Sequence, residues 1–140
     1  MASYEDSEIY KLAKQLAVEI HRMTLEELPK FEMYEESSQI RRSSKSIVAN
    51  FVEGYGRRIY RAEYIKFLIY ALASCDETKT HLELLHETGS LKPDCFRYFY
   101  DGYRALGGKL YNLRQAVIEG RARRLLPATC YLLLATRSLR

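Results

Sequence analysis

Tryptophan is absent from this chain of 140 residues, and only seven glycines and three prolines occur. So few turn-formers cannot serve the many short strands of an all-β protein. The three cysteines, Cys75, Cys95 and Cys130, stand far apart and form no CxxC pair. That excludes a disulfide framework and suits a reducing cytoplasm. No apolar run reaches the length that spans a bilayer. The opening MASYEDSEIY is acidic and lacks the apolar stretch of a secretory signal, so a cytoplasmic location is expected. A glycine-rich phosphate loop is missing, as is any Ser/His/Asp arrangement. No cofactor is expected.

What is present is 47% hydrophobic and 29% charged, enough for one core in one domain. Four stretches carry apolar residues at steps of three and four, the spacing that lines one face of a helix. The first, about residues 5–28, has Ile9, Leu12, Ala13, Leu16, Ile20 and Met23, with Ser3 and Ser7 as candidate N-caps and Pro29 as its stop. The second, about 33–55, has Ile40, Ile47, Val48, Phe51 and Tyr55, with Gly54 and Gly56 expected to close it in the left-handed conformation. The third, about 62–87, buries Tyr64, Phe67, Leu68, Ala71, Cys75, Thr78, Leu82 and Leu85. The fourth starts near Pro93, a residue suited to a first turn, and reaches about Gly120. It presents Phe96, Phe99, Tyr103, Leu106, Leu110, Leu113 and Val117, and Gly107 and Gly108 are expected to weaken or kink it. Short connections between long helices predict an all-α, antiparallel up-down-up-down four-helix bundle over residues 1–120. Residues 121–140, broken at Pro127, are read as a basic and apolar tail, either a flexible extension or a short extra helix.

Charge is unevenly spread. Residues 121–140 hold five arginines and no acid, leaving 17 basic against 18 acidic residues in the body. Residues 1–40 carry four Lys/Arg and nine Asp/Glu, whereas residues 41–66 carry seven Lys/Arg and two Glu. Such polarity attracts phosphate, or a second copy of the same chain in head-to-tail pairing.

The second helix holds an unusual stretch, Gln39 to Arg57, QIRRSSKSIVANFVEGYGR. It resembles the signature QIRRAxxSIxxNIxEGxGR of the bacterial four-helix-bundle family encoded in intervening sequences of large-subunit rRNA genes. Gln39, Ile40, Arg41, Arg42, Ser46, Ile47, Asn50, Glu53, Gly54, Gly56 and Arg57 match, while Ser43 and Phe51 replace the usual Ala and Ile. Leu28, Pro29, Lys30 and Glu32 resemble the family's FPxxE loop, and Glu63, Tyr64, Phe67, Leu68, Ala71, Ser74 and Glu77 its EFxxFLxxAxxSxxE helix. Ile59-Tyr60-Arg61 departs from it, offering no Ser or Thr cap to the third helix. The resemblance, over roughly residues 5–118, implies a four-helix bundle commonly assembled as a homopentamer. It also implies kinship with the accessory variability protein of diversity-generating retroelements, which binds a reverse transcriptase and nucleic acid.

Two constellations follow. Gln39, Arg42, Ser46, Asn50 and Glu53 share one face of the second helix and read as a structural polar seam, with Glu77 as a candidate partner of Arg42. Arg41, Lys45, Arg57, Arg58, Arg61 and Lys66 form a basic set for phosphate contact, the last four flanking the second loop. Tyr55, Tyr60 and Tyr64 lie among them, suited to stack on unpaired bases. The competing reading pairs these cations with Glu26, Glu27, Glu35 and Glu36. No metal site is expected: Glu83-Leu-Leu-His86 is a single ExxH element with no second, and His21 and His81 have no ligand-spaced partner. The sequence therefore predicts a non-enzymatic homo-oligomer, five subunits by resemblance, that presents a basic surface to RNA or DNA. The alternative is a protein-interaction adaptor for a nucleic-acid enzyme such as a reverse transcriptase, without nucleic-acid contact.

Overall fold

Alternating steps of three and four become four helices in the computed structural model, which describes residues 2–120: α1 (Glu8–Glu26), α2 (Glu36–Gly56), α3 (Arg61–Glu87) and α4 (Pro93–Ile118). The expectations placed on residues 121–140, Cys130 included, lie outside the described residues. Contact order is antiparallel throughout. Ser43, Ser46 and Gly54 along α2 meet Thr78, Ser74 and Phe67 in descending order along α3. Glu8, Leu16 and Glu19 on α1 likewise meet Lys109, Gly102 and Tyr98 on α4. The turn end of the bundle therefore holds the α2–α3 connection, the start of α1 and the end of α4. The linker end holds the α1–α2 and α3–α4 connections. No described helix is long and apolar enough to cross a membrane.

Nearly every residue of the four apolar stripes is buried or packed on the core, and Ile20, Ile40, Ile47, Phe51, Leu68, Leu82, Leu106 and Leu110 are wholly enclosed. Differences from the sequence pattern are local. The first stretch splits at Ser7, whose extended backbone ends a short 3-10 turn (Tyr4–Asp6) and whose hydroxyl caps α1 by accepting from Ile9 N–H; Ser3 caps the preceding turn. Helix α2 starts at Glu36 rather than near residue 33, because Pro29 opens a separate 3-10 turn, Lys30–Tyr34. That turn buries Glu32, 5% exposed, whose Oε1 accepts from Ser90 Oγ at 2.8 Å across the linker end.

The glycines expected to close α2 do not leave the helical region: among described glycines only Gly89 and Gly120 have positive φ. Gly54 is needed for closeness, since a Cβ there would lie 2.9 Å from Phe67 Cβ on α3. Gly107 and Gly108 leave α4 unbroken from Pro93 to Ile118.

Candidate nucleic-acid interface

Helix α2 hands over to α3 through a tight turn, and this brings Arg57, Arg58, Arg61 and Lys66 to the turn end as the sequence predicts. They are not equally available. Arg57 clasps Glu53 (Nη2–Oε1 2.7 Å) and Glu63 (Nη1–Oε2 3.3 Å), and Lys66 lies 3.9 Å from the same Glu63. The Arg58 guanidinium sits 4.1 Å over the Tyr55 ring and donates to the Tyr55 carbonyl at 2.8 Å. Arg61 is exposed, with no ion pair or hydrogen bond among the described residues. These solvent-exposed pairs are weak, so a polyanion can compete for them. Round the turn itself four cations meet two carboxylates, while Glu5, Asp6, Glu8 and Glu119 lie at the same end of the bundle.

Of the three tyrosines expected to stack on bases, only Tyr60, 59% exposed, is placed to do so. Tyr55 and Tyr64 belong to the core, and burial raises the Tyr64 hydroxyl far above the ordinary phenol range. Tyr55 and Tyr64 also stand on the apolar stripes of their helices, and that placement prevails over a place among the exposed cations. The acids invoked as alternative partners, Glu26, Glu27, Glu35 and Glu36, sit at the linker end, so within one chain they cannot neutralise the turn-end arginines.

Arg41 and Lys45 form a separate set. Lys45 is twelve residues from Arg57, about 18 Å along the helix axis at ~1.5 Å per residue. Arg41 is half-buried and donates from Nη1 to Thr24 Oγ1 at 2.9 Å, latching α2 to α1. Lys45 is exposed on a groove of about 460 Å³ between α1 and α2. Ala17, Val18, Val48 and Ala49 line its floor, with Lys14, His21, Arg22 and Lys45 around them and no carboxylate. Sequence reasoning missed this surface because it summed charge along the chain. The signal that could have found it is the i, i+7, i+8 spacing of Lys14, His21 and Arg22 on one face of α1.

The expected polar seam is divided. Ser46 Oγ lies 3.0 Å from Ser74 Oγ, joining α2 to α3, and accepts from Asn50 Nδ2 at 3.0 Å within α2. Gln39, Arg42 and Glu53 are exposed. Arg42 does not pair with Glu77: both face solvent, Arg42 has no partner among the described residues, and Glu77 lies 3.5 Å from His81 Nε2. The buried polar contacts fall one step round the helix, where Thr78 Oγ1 is 2.8 Å from both Ser43 Oγ and the Ser74 carbonyl. His81 is not isolated either. Its Nδ1 is 2.6 Å from Glu36 Oε2, tying the start of α2 to α3 through residues 45 apart, a separation no local spacing rule detects.

Glu83 and His86 turn to different partners. Glu83 accepts from the Tyr100 hydroxyl at 2.8 Å, and His86 stacks on Phe96 with ring centroids 4.4 Å apart. Among the described residues no three His, Cys, Asp or Glu side chains gather as a metal site.

Residues 5–112 match the family described as 23S rRNA-intervening sequence protein. A crystal structure from Bacteroides thetaiotaomicron, described as a protein with unknown function from the S23 ribosomal protein family, is similar at a TM-score of 0.70 and 25% identity; the match covers 76% of this chain and 97% of that one. No curated protein matches.

Proposed function

The chain belongs to the 23S rRNA-intervening sequence protein family, and from that premise we propose that it is a non-enzymatic, homo-oligomeric scaffold whose turn end presents a basic surface to RNA or DNA. The carrying observation is the gathering of Arg57, Arg58, Arg61 and Lys66 round the α2–α3 turn against only Glu53 and Glu63, with Tyr60 exposed between them. Such a surface contacts phosphate without base readout, so binding weakens steeply with salt. Five subunits, by the resemblance, would repeat the patch around a ring, and weak contacts in series add up to useful affinity. We place it in the cytoplasm, whose reducing conditions suit three widely spaced cysteines.

A gel shift with a generic RNA and a DNA of equal length, run at rising salt, tests this. Binding at low salt, lost in R57E/R58E/R61E with helical circular dichroism intact, is the expected result. A wild-type chain that binds neither polymer overturns it.

One observation favours the protein-adaptor reading: Arg57 and Arg58 already have partners within the subunit. On that reading the same arginines hold subunits or a protein partner such as a reverse transcriptase, and the triple variant loses assembly rather than nucleic-acid binding.

A further inference from the structure

Two surfaces of this molecule are each apolar at the centre, charged at the edge, and opposite in sign. The first is the α1–α2 groove. Its floor includes Val18, 42% exposed, with Val48 and Ala49, and Lys14, Arg22 and Lys45 surround it. Lys14 lies 5.7 Å from the Tyr10 ring, and none of the three cations has a carboxylate partner among the described residues.

The second is the α1–α2 linker, Glu26 to Glu36, which holds five glutamates and one lysine. Its 3-10 turn is anchored from below by Glu32, bonded to Ser90, so the neighbouring side chains are directed outward. Phe31 is 67% and Tyr34 88% exposed, with Met33 partly so. Glu26, Glu27 and Glu35 are exposed beside them and have no cationic partner among the described residues. A tight turn bearing two aromatic rings into water is costly unless something covers it.

We propose that the α1–α2 groove seats the Lys30–Tyr34 turn of a second copy of this chain, with Lys14, Arg22 and Lys45 facing that copy's Glu26, Glu27 and Glu35. The inference rests on the homo-oligomeric reading above and gives it a surface. Apolar floor meets aromatic knob, and cationic rim meets acidic flanks, so both the hydrophobic and the electrostatic requirements of an interface are met by one occupant. Because knob and groove are different patches, the contact is heterologous, and repetition closes a ring or extends a filament. Other occupants fit less well. The groove floor is aliphatic, and among the described residues that line it only the half-buried His21 carries a ring, too little for a stacking platform. Residues 121–140 carry five arginines and no acid, so the cationic rim repels them. The contact leaves the turn-end arginines uncovered for nucleic acid.

Light scattering of the full chain at micromolar concentration, with circular dichroism as a folding control, tests the contact. The wild type should be an assembly of more than two copies. K14E/R22E/K45E and E26K/E27K/E35K should each fall to monomer mass, and mixing the two should restore an assembly, because the reversed groove then meets the reversed linker. If K14E/R22E/K45E keeps the wild-type mass, or if the mixture stays monomeric, the groove is not the seat. A monomeric wild type would instead overturn the oligomeric reading on which the proposal stands.

Discussion

A missing methyl at position 54 sets how closely α2 can approach α3. Alanine there would bring Cβ to 2.9 Å from Phe67 Cβ, a contact that must be relieved by moving a helix. Gly54→Ala should cost about 1–3 kcal/mol, the range for overpacked sites. Two residues on, Gly56 is still helical and a Cβ would meet nothing within 4 Å. Gly56→Ala should therefore stabilise by about 0.5–1 kcal/mol, the helix preference of alanine over glycine. Urea melts of the two variants should move in opposite directions. The EGxGR spacing thus holds two glycines of unlike origin, which neither their spacing nor their shared identity distinguishes.

Elements are tied at their ends by polar contacts that no periodicity announces. Glu32 is the clearest case: one buried carboxylate oxygen accepts from Ser90, and the α1–α2 linker is thereby fastened to the α3–α4 linker. Ser90→Ala should cost about 1–3 kcal/mol in a urea melt, since it strands a buried carboxylate. Glu32→Gln in the same background should recover part of that loss, because a neutral amide is cheaper to leave buried. Equal melts for Ser90→Ala with and without Glu32→Gln would show that the linkers are held by Leu91 and the core instead. Pairs such as Thr24 with Arg41 and Glu36 with His81 work the same way, each joining residues far apart in sequence.

At the scale of the whole molecule, the neutral groups enclosed in the core couple folding to alkaline pH. Burial pushes the Cys75 thiol from 9.0 up to about 11, and it raises the Tyr64 and Tyr103 hydroxyls as well. Below about pH 9 these groups are neutral in folded and unfolded chains alike, so this part of the stability is fully present. Between pH 9 and 11 the unfolded chain ionises first and the folded chain does not, so stability falls as pH rises. The urea midpoint should drop across that window, and Cys75→Ala should make the drop shallower. A midpoint flat from pH 8 to 11 would contradict this. The same enclosure makes Cys75 slower than the partly exposed Cys95 to react with a thiol reagent in a C130S background.

The helices and their faces were legible in the sequence because helix periodicity is a local property: a side chain three or four places on returns to the same face whatever the rest of the chain does. Ile9 to Met23, Tyr64 to Leu85 and Phe96 to Val117 needed nothing more, and the dense QIRR…EGxGR match placed the chain in its family. The gathering of Arg57, Arg58, Arg61 and Lys66 was legible for the same reason, since all four flank one turn. Tertiary structure alone decided the rest. It left Arg42 exposed with no partner among the described residues and set Arg41 against Thr24. It also brought the cations of an acidic first segment, Lys14 and Arg22, beside Lys45 of a basic second one. Charge summed along a chain is blind to such a surface, because packing two antiparallel helices sorts residues by face and not by order.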